Sequence, residues 1–266
     1  MEAAFELAGR STMIERCKEG RVLIATLNRP PVNALDAEMA TELRGVVAEA
    51  CDDPSTSALL IRSNQGVFSA GGDLKYLQER MVTEHGPAQI VDNLLRPLHR
   101  ALDDLEQSEV ITIAEIGGHA LGGGLELALA CDLRIASKSA KLGLVEVHLG
   151  LIAGAGGTQR LTQLCGRGVA SRLLLTGEAV NGSEAERLGL VQWAMEADQL
   201  SAFAMSLATK CSALPSQAIA AAKRCIGAAG RRADDGFALE IESSKALYAD
   251  RSTRSLIEKF ISRGNV

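Results

Sequence analysis

The stretch Leu121-Gly122-Gly123-Gly124-Leu125-Glu126-Leu127-Ala128-Leu129-Ala130-Cys131-Asp132 decides how the rest of the chain is read. Three consecutive glycines carry no Cβ, so their backbone can approach another group closely. They run into a helix start, where the first N–H groups lack intrahelical acceptors and attract negative charge. The helix that follows is apolar almost all round, which predicts burial. Glu126 nonetheless stands in its first turn. The positions three and four residues away are Gly122, Gly123, Leu129 and Ala130, so no cation on the same helix can neutralise it. A carboxyl enters a core when it has a partner or a task. The plain alternative is a carboxylate that complements the helix dipole at a partly exposed end.

Outward from this stretch, short apolar runs alternate with helical periodicity. Met13 to Leu27 reads as two strands around the turn pair Glu19-Gly20. Asn28-Arg29-Pro30-Pro31-Val32-Asn33 is a loop, because prolines cannot continue a ladder. A helix follows from Asp36, with Leu35, Met39, Leu43, Val46, Val47 and Ala50 as its apolar stripe, and Asp52-Asp53-Pro54 ends it. The run Ala58 to Ile61 predicts a buried strand that leads into a second glycine-rich turn, Gly66-Val67-Phe68-Ser69-Ala70-Gly71-Gly72-Asp73, and a helix near Leu74. Tyr76 to Arg100 reads as helices with an irregular connection. Val110 to Ile116 and Leu133 to Ala136 read as further strands on either side of the opening stretch. Lys141 to Gly150 places Glu146 between Val145 and Val147, and Gly154-Ala155-Gly156-Gly157-Thr158 opens a helix through Cys165. Strand, turn and helix in repetition predict an α/β fold with largely parallel strands. Beyond Ser183 the strand signal survives only at Val191 to Ala194. Helices are expected at Asp198–Cys211, Pro215–Ala229, Asp234–Tyr248 and Thr253–Ser262. The division expected is a core over 1–195 and a helical region over 196–266.

Composition excludes several classes. The 266 residues are 47% hydrophobic and 23% charged, with a formal net charge of −5. That balance does not favour phosphate backbones as partners. No apolar run approaches the roughly 18 residues of a membrane span. The start Met1-Glu2-Ala3-Ala4-Phe5-Glu6 has neither signal-peptide nor transit-peptide character, so a cytoplasmic protein is expected. Six cysteines never form CxxC, and four histidines are scattered, so neither a disulfide frame nor a metal site is expected.

The glycine-rich turns match no nucleotide fingerprint. Gly117 and Gly122 have P-loop separation, but Gly123 stands where Lys should be. The pattern at Gly154 breaks at Gln159, and Val67 stands two before Ser69 where a nucleophile elbow needs glycine. What remains is two glycine-lined turns and two carboxyls in apolar settings, Glu126 and Glu146. Such a set suits a reaction in which a carbonyl oxygen gains negative charge. N–H groups from two turns can hold the oxyanion, and carboxyls with raised pKa can move protons near neutrality. For Glu146 the plain alternative is a loop carboxylate paired with Lys141 or Arg160.

At these residues the chain resembles the crotonase (enoyl-CoA hydratase/isomerase) superfamily. The resemblance rests on Phe68 to Asp73, Ala120 to Ala128 and Gly154 to Arg160, with Asn28-Arg29-Pro30, Asn33-Ala34-Leu35 and Leu174-Leu175-Thr176-Gly177 in support. It implies a spiral of ββα units with a helical C-terminal region that assembles trimers or pairs of trimers. It implies that the N–H groups of Ala70 and Gly123 form an oxyanion hole for the thioester carbonyl of an acyl-CoA. It places Ala70, Gly71, Gly72 and Asp73 along the pantetheine and thioester, with the Val32 loop near the CoA nucleotide. Glu126 and Glu146 match the family's two hydratase glutamates, Glu126 activating water for attack on C3 and Glu146 delivering a proton to C2. No cofactor is implied beyond the coenzyme A of the substrate. Glu115, in a strand expected to be buried, has no reading from sequence.

Two other readings stand beside hydration. A 3,2-enoyl-CoA isomerase would move a double bond without water. The wording around Ala120–Arg134 is also similar to a methylglutaconyl-CoA hydratase that binds AU-rich RNA. There the RNA face is a lysine-rich early helix. Here the matching helix offers Arg44 as its only cation, against Asp36, Glu38, Glu42, Glu49 and Asp52, and such a face repels phosphates.

Overall fold

The computed structural model describes residues 12–229 apart from 82 and 84. The helices expected at Asp234–Tyr248 and Thr253–Ser262 lie outside the described residues. The chain opens with β1 (Ile14–Glu19) and β2 (Val22–Leu27), an antiparallel pair closed by Gly20 at φ +60. Helix α1 (Ala37–Asp52) follows. The Asp36 carboxyl accepts from Met39 N at 2.9 Å, a cap worth about 1 kcal/mol. The buried face of α1 is the predicted stripe Met39, Leu43, Val46, Val47 and Ala50.

Next come β3 (Ala58–Ser63), β4 (Val67–Ser69), α2 (Leu74–Met81), α3 (Gly86–Ile90) and α4 (Arg96–Gln107), which packs Leu98, Ala101, Leu102 and Leu105 inward against α1. Then β5 (Ile111–Ile116) and β6 (His119–Leu121) lead to α5 (Gly123–Leu129), and β7 (Leu133–Ser137) and β8 (Lys141–Gly143) lead to α6 (Gly157–Thr176). Gly166, at φ 76 and ψ 163, breaks α6 where the helix was expected to stop. The chain continues through β9 (Val180–Asn181), α7 (Gly182–Arg187), β10 (Trp193–Met195), α8 (Ala197–Ser212) and α9 (Ser216–Ala228).

Two sheets grow side by side. The larger has the order β1-β2-β3-β5-β7-β10 and is parallel from β2 onward; the smaller has the order β4-β6-β8-β9. Successive units add one strand to each sheet in the same direction, which produces the expected spiral. Three-residue strands carry no readable period, so β4, β6 and β8 were invisible in the pattern. The main core lies between the large sheet and helices α1, α4 and α5. Helix α8 covers the other face of that sheet, where Leu200, Ala204 and Ala208 meet Val22, Ile24, Leu60, Ile113 and Ile135. Glu115 points to this side; Ser201 Oγ donates to its Oε1 at 2.5 Å, and its Oε2 is buried without a partner. Among the described residues, no helix is long and apolar enough to cross a membrane. Nor, among them, do three His, Cys, Asp or Glu side chains gather to hold a metal ion.

Candidate active site

The small sheet brings the two glycine-rich turns together. Strand β4 delivers Ser69 to Asp73, and β6 delivers Gly122 to Gly124. A Cβ on Gly124 would overlap the Ser69 carbonyl, and one on Gly71 would come within 2.8 Å of Leu121 O and 3.0 Å of Gly123 N. Gly71 also holds φ +96, and Gly122 holds φ +53, both unfavourable for a side-chain-bearing residue. The glycines therefore permit two backbones to touch.

A loop far upstream shapes the first turn. Buried Asn33, at φ 49, donates from Nδ2 to Phe68 O at 3.0 Å and Ser63 Oγ at 2.8 Å. Ser69 Oγ donates to Asn33 O at 2.7 Å. Leu35 N donates to Gly71 O at 2.8 Å, and Asp73 N to Leu35 O at 3.1 Å. Asp73 Oδ1 in turn accepts from Lys75 N and Tyr76 N at 3.0 and 3.2 Å, capping α2, while Arg29 lies 3.2 Å from its Oδ2. The Asp73 side chain is thus committed to the scaffold.

The structure corrects one expectation here. The N–H of Ala70 donates to Val32 O at 3.0 Å and is not free to bind an oxyanion. The free donor of this turn is Gly72. Its N–H has no acceptor among the described residues, and neither has that of Gly123, the first residue of α5. The two are adjacent: a Cβ on Gly123 would lie 3.5 Å from Gly72 N. The ladder around Leu35 and Gly72 uses the N–H groups of Leu35 and Asp73, not that of Gly72.

Both carboxyls flank this pair. Glu126 is 3% exposed, which removes the reading of a partly exposed helix end. Its Oε1 accepts from Ala155 N and Gly157 N, each at 2.8 Å. Burial, with the nearby charge of Glu146, pushes its pKa up to about 7 despite those two bonds. Glu146 opens a 3-10 turn, Glu146–Leu149, and its carboxyl leans on Gly122, with Oε1 3.0 Å from where a Cβ would stand. Its Oε2 is buried without a hydrogen bond, and burial raises its pKa too. Among the described residues, no cation pairs with it. Lys141 is exposed, and Arg160 is engaged elsewhere.

Two arginines hold this frame: Arg160, with partners other than the Glu146 weighed from sequence, and Arg134, which had no role assigned from sequence. Buried Arg160 lies 2.6 Å from Asp103 and 3.0 Å from Glu106, both on α4, and donates to Ala155 O at 3.0 Å. The loop that grips Glu126 is thereby fixed to α4. Arg134, 2% exposed, donates to Cys131 O at 2.5 Å and Ala128 O at 3.3 Å at the end of α5, opposite its free N-terminus. A cation suits that end of a helix dipole. Spacing offered only a basic residue inside an otherwise apolar strand and helix, which signals burial but names no partner.

Two unpaired N–H groups beside two pKa-raised carboxyls can stabilise a developing oxyanion while moving protons. Comparison with known proteins agrees with that chemistry. Residues 17–265 match the family described as enoyl-CoA hydratase/isomerase. A probable enoyl-CoA hydratase of Mycobacterium tuberculosis is 37% identical over 218 residues, 82% of this chain and 81% of that one. The short-chain-enoyl-CoA hydratase of Clostridium acetobutylicum is 36% identical over 228 residues, 85% of each chain. The crystal structure of an enoyl-CoA hydratase from Bacillus anthracis superposes with a TM-score of 0.86 at 31% identity, covering 95% of this chain and 97% of that one. A family match over nearly the whole chain, shared sequence along most of the length and a shared fold lead to one conclusion: the chain belongs to the enoyl-CoA hydratase/isomerase family.

Proposed function

We propose that this chain is an enoyl-CoA hydratase that adds water across the 2,3-double bond of an enoyl-CoA thioester. The observation that carries the reading is the convergence of Gly72 N–H, Gly123 N–H, Glu126 and Glu146 on one place. The thioester oxygen accepts from the two N–H groups. Water attacks C3 as Glu126 takes its proton. The electron pair of the double bond moves toward the thioester oxygen, giving an enolate. Glu146 then gives its proton to C2, and the enolate collapses to the 3-hydroxyacyl thioester. The cycle as proposed uses a single proton on the pair. It starts on Glu146 and ends on Glu126, and exchange with solvent resets the pair.

Each oxyanion donor contributes about 10²–10³ in rate, and each proton-transfer group about 10²–10⁴. The only group required beyond the protein is the coenzyme A of the substrate. Gly71 and Gly72 line the thioester; Ala70 and Asp73 support the turn from behind. Assembly as trimers or pairs of trimers, in the cytoplasm, belongs to the same proposal. It draws on the family resemblance and on exposed Leu214 and Ile226 at 47% and 73% on the C-terminal side. A light-scattering mass of one chain would refute it.

The test is crotonyl-CoA. Loss of its conjugated absorbance, with formation of the 3-hydroxyacyl product, is expected, and Glu126→Gln and Glu146→Gln are each expected to lower turnover by about 10² or more. Untouched 2-enoyl-CoAs combined with conjugation of a 3-enoyl-CoA would replace hydration by isomerisation.

A further inference from the structure

Glu146 is held differently from Glu126. The latter is gripped by two backbone N–H groups. The carboxyl of Glu146 receives no hydrogen bond at Oε2, and its turn is thinly packed, with Val147 and Leu149 exposed at 41% and 59%. The bonds from His148 N to Val145 O, Gly150 N to Val147 O and Leu151 N to Glu146 O, each 3.1 Å, shape the turn without tying it to the body of the protein. His148 does tie it. Its Nε2 lies 3.1 Å from Gly177 O. A carbonyl oxygen only accepts, so Nε2 carries the hydrogen.

Gly177 is the left-handed cap of α6, at φ 64, with its N–H on Leu173 O at 3.0 Å. A Cβ there would fall on the His148 ring. The cap therefore needs glycine twice, for its backbone angle and to seat the imidazole. Helix α6 meets both acid-bearing segments. At Gly157 it grips Glu126, and at Gly177 it takes the turn of Glu146.

We propose that His148 is a positioning residue for Glu146, latching the 146–149 turn to the cap of α6 so that the carboxyl stays over Gly122. The proposal rests on the proton-donor role given to Glu146 above. A latch of this kind acts on chemistry more than on thioester binding, because small misplacements of a proton donor cost rate.

The experiment uses the full chain and crotonyl-CoA, with thermal melting to confirm folding. His148→Ala is expected to lower kcat about tenfold and to change KM less than about twofold. His148→Gln, which keeps an N–H donor, is expected to restore most of kcat. Gly177→Ala, which unseats the ring, should reproduce the His148→Ala signature. In a Glu146→Gln background, His148→Ala should remove no further rate, since the two act as one unit. Normal kcat in His148→Ala beside a disabled Glu146→Gln overturns the latch alone. An equal loss from His148→Ala with and without Glu146 overturns it as well. Normal turnover in Glu146→Gln would sink the role of Glu146, and the latch with it.

Discussion

Replacing Glu126 by Gln should make the protein more stable and less active, with the gain in stability set by pH. The folded-state pKa is raised from the ordinary 4.5 to about 7. That displacement corresponds to roughly 3 kcal/mol at about 1.4 kcal/mol per pH unit. The sign follows from the protonated form being the one the core prefers. Its stabilising contribution is complete below the unfolded value of 4.5, decays as pH rises, and is gone above about 7. Gln is neutral at every pH, and its Oε1 keeps both acceptor positions for Ala155 N and Gly157 N. At about pH 8, Glu126→Gln should therefore melt roughly 6 °C above the parent, taking about 2 °C per kcal/mol for a chain of this size. Near pH 5 the parent is protonated and the two curves should approach each other. Turnover should fall about 10²-fold in the same variant. Melting curves across this pH range decide the matter. A difference that does not change with pH, or a variant less stable at alkaline pH, would refute the assignment of a costly buried charge to Glu126.

Two further substitutions test the frame. Gly124→Ala sets a methyl group on the Ser69 carbonyl and should destabilise by about 1–3 kcal/mol while cutting kcat about 10²-fold; Gly66→Ala, where a Cβ meets nothing within 4 Å, is the neutral control for melting and turnover. Arg160→Met strands Ala155 O and two acids, so it should cost about 2–4 kcal/mol in urea unfolding and reduce kcat more than substrate binding.

What the sequence revealed and what it hid divides along physical lines. The stripe from Met39 to Ala50 and the run Ala58 to Ile61 were legible because burial imposes a period on local residues. Glu126 was legible because a charge in an apolar helix is costly enough to need a reason. The identity of the free N–H was not legible. Ala70 and Gly72 lie in the same turn, and the choice between them is made by Val32 O, a carbonyl of the upstream loop that takes the Ala70 N–H. The partners of Arg160 escaped for the same reason: Asp103 and Glu106 are on α4, more than fifty positions away. Glu115 shows both cases. Its strand was legible, but its place under α8, against Ser201, is set by a residue 86 positions away.

Proteins normally pair nearly all buried polar groups, because an unmet one costs about 1–3 kcal/mol. Among the described residues, Gly72 N–H, Gly123 N–H and Glu146 Oε2 have no partner, all within one small region. They are not loosely placed. The surrounding turns are fixed by Asn33, Ser69, Arg160 and Arg134, each buried and each hydrogen-bonded to backbone. Around the site, the groups that hold the turns are thus satisfied, and these three are not. In the proposed mechanism a thioester oxygen would meet both N–H groups at once, and a bound water would donate to the carboxyls. Substrate binding would then relieve a cost already present in the folded chain, with the relief greatest when the oxygen carries negative charge. That difference between carbonyl and enolate accelerates the reaction, because equal relief for both would tighten binding without raising turnover.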